Sequence, residues 1–392
     1  MMSVNSYMAC DDMSQIICET EYLSLSIILI LLLVIGLRKH EESRRMSFPD
    51  FVYQGPKKWL AIDYDFSQAI KAVSCIMILM GHYRSFVLPE EMRYSFFTNY
   101  IGMSSANIAL FFFMFFSGYG LSLKINSCKN LSQVWWNRMK NIYLPLLFTC
   151  CVMMVIYSLV PNPFSQDYAD SFHLSRVFHA VHEYDINNTE TIIRGLFGWG
   201  DWYVTCILMF YTIFYLSLYI SIKVKKNHTI VLGCMMMIYF IWAYFYYGAP
   251  EAHYFRYPWV FMLGHVIARW DENPKKISFG VMSVFALTEI PCGLYYHIFS
   301  LVSLLFLVLV AFINTRYSFK GKILLFVGSI SYFYYLCHFR IAGLVLPYLG
   351  IRSLLLWAFV TIPIAWGIKT TYDKIISSVK ECLKEVEWFE RV

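Results

Sequence analysis

Charge is the scarcest property of this sequence: Asp, Glu, Lys and Arg together make up 15% of its 392 residues, against about 25% in an ordinary soluble domain. With 58% hydrophobic residues beside so few charges, the chain lacks the polar surface to clothe two or three soluble domains. The formal charge of +6 does not describe a nucleic-acid surface either. Lys and Arg lie in short clusters between apolar runs, the arrangement that sets orientation in a membrane, so no nucleic-acid partner is expected. No C-x-x-C pair occurs among the 11 cysteines. Cys75, Cys150, Cys151, Cys206, Cys234 and Cys337 sit inside apolar runs, where a thiol acts as a small hydrophobe; neither a disulfide framework nor a zinc site is expected. Internal repeats, Pro- or Gly-rich linkers and an appended soluble domain are lacking as well. His179 and His182, followed by Glu183, do not have the H-E-x-x-H order of a zinc protease, and no third ligand is apparent. No metal and no permanently bound cofactor are therefore expected.

What the sequence has is a series of apolar runs. The first, Tyr22 to Leu37, follows Asp11, Asp12, Glu19 and Glu21 and precedes Arg38, Lys39, Arg44 and Arg45. A cleaved signal peptide carries its positive charge first, so this reversed order predicts a retained anchor with its N-terminus outside. Further spans are expected at 66–88, 98–122, 141–160, 202–222, 228–248, 255–269, 277–292, 295–314, 323–340 and 353–373. They read as helices, because no strand-length alternation is present and an open sheet edge cannot face lipid. Strict alternation puts 38–58, 123–140, 223–227, 269–276, 315–322 and 374–392 in the cytoplasm. The basic residues agree, for the outer segments and the outer ends of the spans hold only Arg84, Arg93, Arg176, Arg194, Arg256, Arg340 and Arg352.

The expected fold is thus an all-α integral membrane protein, a single bundle of about 11 transmembrane helices, N-terminus outside and C-terminus cytoplasmic. Residues 1–58 form an anchor and basic loop, 59–373 the main transmembrane domain and 374–392 a cytoplasmic tail. Membrane lipid is the first partner implied. The longest outer segment, 161–201, carries His173, His179, His182, Glu183, Asp185 and Trp199, and is the only one large enough to shape a polar surface over the bundle.

Two ionisable residues stand on the second span, Lys71 and His82. Eleven positions bring an α-helix back to within about 20° of the same face, with a rise of roughly 16 Å. One stripe therefore runs from Lys71 past Ser74, Cys75 and Ile78 to His82. Ionisable groups at membrane depth cost at least a few kcal/mol and by default mark a functional site facing a cavity. The plainer readings are that Lys71 snorkels to the interface and that His82 is a polar contact between helices.

The run from Asp65 and Phe66 through Lys71 to His82 resembles the first core helix of the membrane acyltransferase 3 family, whose pattern is Arg-x10-His. Phe112-Phe113-Met114-Phe115-Phe116-Ser117-Gly118 resembles the family's Phe-Phe-x-x-Ser-Gly segment. Arg138 to Pro145 resembles its basic loop before the next helix, and Ser331 to His338 its Tyr-Leu-x-His segment; Asp201-Trp202-Tyr203 with Phe210-Tyr211, and Phe261 to Gly264, agree more weakly. The ordered set spans about 60 to 340. Lys71 stands in the arginine position, exchanging a bidentate phosphate binder for a point charge, and Asn141 replaces the second arginine of an Arg-x-x-Arg pair, with Lys140 beside it as a substitute.

The resemblance implies a multi-pass O-acyltransferase of the plasma membrane, in a bacterium its cytoplasmic membrane. Its donor is acetyl-coenzyme A or another acyl-coenzyme A, and its acceptor a cell-surface or lipid-linked saccharide. A sugar hydroxyl needs a base to take its proton, and a histidine titrating near neutrality suits that role. His82 is the expected base, with His338 as the second catalytic histidine or else a buried hydrogen-bonding residue. Lys71, Arg138, Lys140 and Asn141 are assigned to the donor, and Trp199, Trp202, Tyr203 and Ser117 to the saccharide. Read without the family, Ser117, Gly118 and Gly120 are what close helix packing in lipid requires. The competing class is an exporter of a glycan or lipid-linked sugar, recognisable by repeat symmetry or by matched broken helices.

Overall fold

The computed structural model describes residues 4–39, 64–88, 92, 95, 97–124, 131–159, 202–247, 256–269, 293–349 and 353–389. Helix α1, Val4–Gly36, leads into strand β1, Leu37–Lys39. Helix α2, Tyr64–His82, continues into a π turn, Tyr83–Val87, and a second π turn, Phe97–Gly102, opens α3, Met103–Lys124. Then follow α4, Leu131–Leu159; α5, Trp202–Val224; α6, His228–Tyr247; and the short α7, Pro258–Ala268. Helix α8, Gly293–Arg316, leads into β2, Tyr317–Phe319, and the chain ends in α9, Lys322–Ser329, α10, Ser331–Leu349, and α11, Leu354–Phe389.

Among the described residues five helices are long and apolar enough to cross a membrane: Gln15–Gly36, Phe97–Lys124, Trp202–Val224, His228–Tyr246 and Leu354–Cys382. A sixth is counted if α9 and part of α10 form one span. The molecule is therefore an α-helical, multi-pass membrane protein. The span expected at 277–292 lies outside the described residues, and the others fall on helix.

Three of them differ in form from the expectation. The run 323–340 is not one helix but the pair α9 and α10, bent by 74°. The break is at Ile330, whose N–H bonds back to Val327 O at 3.2 Å. The segment 255–269 forms only an 11-residue helix, about 16 Å of rise against a hydrocarbon core of about 30 Å. The run at 141–160 begins earlier, at Leu131, so Arg138 and Lys140 lie on α4 itself and not in a loop before it. Pro145 sits inside that helix; it has no N–H to give the preceding turn, and beside it the Tyr332 hydroxyl donates to Ile142 O at 2.8 Å.

Where the helices cross closely, small residues allow it. A Cβ on Gly118 of α3 would lie 2.1 Å from Phe261 O, and one on Gly264 of α7 would lie 2.1 Å from Phe115 O. Gly328 brings α9 as close to the Gln68 carbonyl of α2. Gly120, read with Gly118 as a packing residue, has nothing within 4 Å of the corresponding position.

The bundle is filled by two apolar clusters. One gathers α3, α5, α6 and α7 around Phe111, Phe115, Phe210, Phe214 and Phe261. The other joins α1, α2, α10 and α11 through Tyr22, Leu25, Tyr83, Tyr334 and Trp357. Ile30, Leu31 and Val34 of α1, Ile238 and Phe245 of α6 and Leu305 of α8 remain exposed, as a perimeter solvated by lipid requires. A small antiparallel ribbon ties α1 to α8, pairing Leu37 with Phe319 and Lys39 with Tyr317. Beside it Lys320 Nζ lies 2.9 Å from Asp65 Oδ2 at the start of α2.

Candidate functional site

Helix α2 carries the stripe read from the sequence: Ser74, Cys75 and Ile78 are all buried along it. At its far end the two expected catalytic histidines meet. His82 Nδ1 and His338 Nε2 are 2.7 Å apart, and their rings stack with centroids 4.9 Å apart and planes 17° apart. His338 is 2% exposed. The bend between α9 and α10 turns α10 so that this residue reaches α2, and Cys75 Sγ donates to Ser331 O at 3.1 Å just past the bend.

The hydrogen bonds fix the direction in which the pair works. His338 Nδ1 lies 2.6 Å from the Tyr335 carbonyl, which only accepts, so this nitrogen carries the proton and neutral His338 presents a lone pair on Nε2. His82 must then donate from Nδ1, which leaves the lone pair of neutral His82 on its own Nε2. One histidine thus holds the other in a single tautomer, the arrangement of a base oriented by a third group. Trp357 Nε1 of α11 donates to His338 O at 2.7 Å and its ring stacks on the imidazole at 6.2 Å. Phe339 meets His82 edge-on at 5.6 Å, and Arg340 puts a positive charge within electrostatic reach of His338.

At the other end of the stripe Lys71 lies in electrostatic reach of Arg138 on α4. Two cations within electrostatic reach of each other are suited to an anion. Arg138 also lies in reach of Tyr211 of α5, which is hydrogen-bonded to Ser117. Ser117 gives its own proton to Phe113 O at 2.8 Å, so the Tyr211 hydroxyl is the donor to it. Ser117 therefore belongs with the Lys71 and Arg138 end.

Lys140 and Asn141 are not drawn into this group. Two positions along a helix are about 200° around it, and Lys140 Nζ stands 5.9 Å over the ring of Trp136, itself exposed; Asn141 is exposed too. Of the aromatic residues assigned to the saccharide, Trp199 lies outside the described residues, as does the loop 161–201 with its histidines. Trp202 stacks on Tyr257 at 6.1 Å. Tyr203 is 8% exposed and packs between Phe113 at 6.0 Å and Tyr335 at 5.0 Å, so it touches the residue whose carbonyl sets the His338 tautomer.

A further buried histidine, His265, was not singled out by the sequence. His265 Nδ1 lies 2.7 Å from Ser122 Oγ and its Nε2 lies 3.0 Å from Thr229 Oγ1. Ser122 gives its proton to Gly118 O, so His265 donates to Ser122 and accepts from Thr229, and both ring nitrogens are satisfied. This is a polar contact locking α3, α6 and α7 together. Tyr211, Tyr335 and Trp357 were not assigned roles either. Tyr335 lies in the quoted Tyr-Leu-x-His segment and Tyr211 in the quoted Phe210-Tyr211 pair, whereas nothing in the local sequence marks Trp357.

A hydrogen-bonded pair of histidines, His338 buried and His82 half-buried, at one end of a stripe, with two cations in electrostatic reach of each other at the other, marks the candidate site of this multi-pass membrane protein. Residues 64–368 match the family model described as an acyltransferase domain, a stretch that contains both ends of the stripe. The chain belongs to the acyltransferase 3 family and is an acyltransferase. No curated protein and no solved structure matches it.

Proposed function

We propose that this membrane acyltransferase transfers an acyl group, acetyl in the first instance, from cytoplasmic acyl-coenzyme A to a hydroxyl of a cell-surface or lipid-linked saccharide at the plasma membrane. The observation that carries the reading is the bond from His82 Nδ1 to His338 Nε2. It leaves His82 Nε2 as the basic atom, and a hydroxyl is a poor nucleophile until such a base takes its proton. In the proposed step His82 Nε2 takes the hydroxyl proton as the oxygen attacks the thioester carbonyl. The C–S bond then breaks, coenzyme A departs as thiolate, and His82 returns the proton to it. His338 donates nothing to the substrate; it holds the ring of His82 and stabilises the imidazolium as it forms.

Lys71 and Arg138 bind the donor. Their separation from His82, about 16 Å along the helix axis for Lys71, suits a molecule whose charged end and reacting carbonyl are far apart, as in a coenzyme A thioester. Ser117 and Tyr211 lie near Arg138. Incubation of the purified protein in lipid with acetyl-labelled coenzyme A and a saccharide acceptor tests the reading. It expects free coenzyme A and label on the glycan. Failure of a range of acyl donors to release coenzyme A sinks it.

A further inference from the structure

Helix α1 precedes the stretch that matches the acyltransferase family, which begins at residue 64, yet it reaches the centre of the site. Tyr22 is fully buried. Its hydroxyl donates to the Met80 carbonyl at 2.8 Å and accepts from the Arg84 backbone N–H. Met80 and Arg84 are four residues apart, the spacing whose carbonyl and N–H bond each other in an uninterrupted α-helix. The phenol thus joins the two backbone groups of one rung of α2, and that rung brackets His82.

The backbone changes form beside that contact. After His82 the helix widens into the π turn Tyr83–Val87, with Leu88 N–H bonding to Tyr83 O at 3.1 Å, five residues back. A side chain entering the ladder is an identified cause of such breaks, and π turns re-aim residues at functional sites. The space for the hydroxyl is kept by Gly102, where a Cβ would lie 3.1 Å from Tyr22 Oη and 3.2 Å from Arg84 Cδ.

The neighbouring residue acts on the other half of the pair. The Glu21 carboxylate accepts from Ser353 Oγ and, at 2.8 Å, from Leu354 N–H. It caps the first turn of α11, one turn before Trp357, whose indole holds His338 O at 2.7 Å. Successive residues of α1 therefore brace α2, which carries His82, and α11, whose Trp357 holds the His338 carbonyl.

We infer that Tyr22 is a positioning residue of the acyl-transfer site, its hydroxyl spliced into α2 to aim His82 at His338, with Glu21 supporting the partner through α11. The inference rests on His82 serving as the base, but its structural half can be tested without turnover. Full-length protein labelled with 15N-histidine in lipid should show a coupling across the hydrogen bond between the two ring nitrogens, assigned by its absence in His82→Ala. In Tyr22→Phe, which keeps the ring and its packing, Met80 O and Arg84 N–H close on each other, α2 straightens and the coupling is lost. Gly102→Ala crowds the same hydroxyl from α3's side and does likewise without touching α1. Per molecule of folded protein, kcat falls roughly 10- to 100-fold, the effect of a misplacement of about 1 Å, while KM for acyl-coenzyme A is unchanged. A coupling that persists in Tyr22→Phe, or is missing from the wild type, overturns the inference. If the wild type releases no coenzyme A, the acyl-transfer reading fails and the nitrogen spectrum still decides what Tyr22 does.

Discussion

His82 and Lys71 were legible because eleven residues of spacing put two ionisable side chains on one face of an apolar helix, which is a matter of helical periodicity alone. That His82 meets His338 was not legible, since the two are 256 positions apart and a single sequence carries no record of contact at that range. Their bond sharpens what mutation should do. His82→Ala removes the base and should lower turnover by about 10²- to 10⁴-fold with the fold intact. His338→Ala leaves His82 in place but without its acceptor, so it should cost less; comparing initial rates of both on folded protein checks the order, and a fully active His82→Ala reassigns the base to His338. At the opposite end, Lys71→Met keeps the apolar stem and removes the charge that faces Arg138, and should weaken acyl-coenzyme A binding. Lys71→Arg should retain it, since a guanidinium still pairs with phosphate and adds bidentate geometry. Unchanged coenzyme A affinity in Lys71→Met, measured by calorimetry, makes the lysine an interfacial one. Helical geometry turns Lys140 away from Arg138 on α4, whereas Asn141, three positions on, shares Arg138's side of the helix and is exposed.

Elements were more legible than their breaks. Every expected run among the described residues falls on helix, because apolar length is the property that membranes select and sequences display. The 74° bend between α9 and α10 was missed. Its setting is the close seat of Gly328 on the Gln68 carbonyl, a tertiary contact that leaves no local signature. The Ser-Gly segment of α3 was read as packing, and the structure divides that role. Gly118→Ala forces a methyl group against Phe261 O and should cost about 1–3 kcal/mol as an overpacked contact. Gly120→Ala meets open space and should stabilise the helix by roughly 0.5–1 kcal/mol. Denaturant unfolding of both variants in detergent tests the contrast; equal effects would mean that α3 and α7 do not cross where described.

For the whole molecule, the contacts between distant segments constrain which ends share a side of the membrane. The ribbon of β1 with β2 and the ion pair of Lys320 with Asp65 join segments at the ends that basic residues assign to the cytoplasm. Glu21 with Leu354 joins two ends assigned to the outside. Among the described residues α2 to α8 lie between β1 and β2, and α7, about 16 Å long, is too short for a full crossing. The sequence places a further span at 277–292, outside the described residues. Which side the ribbon lies on follows from the positive-inside bias, since composition alone distinguishes the two faces. Single cysteines introduced at 50, 180, 275 and 385 into a chain cleared of its reactive thiols should therefore label from outside only at 180, and one at 293 should label from outside as well. Labelling of 275 and 293 from the same face removes the crossing between them, and labelling of 180 from the cytoplasm reverses the faces assigned to donor and acceptor.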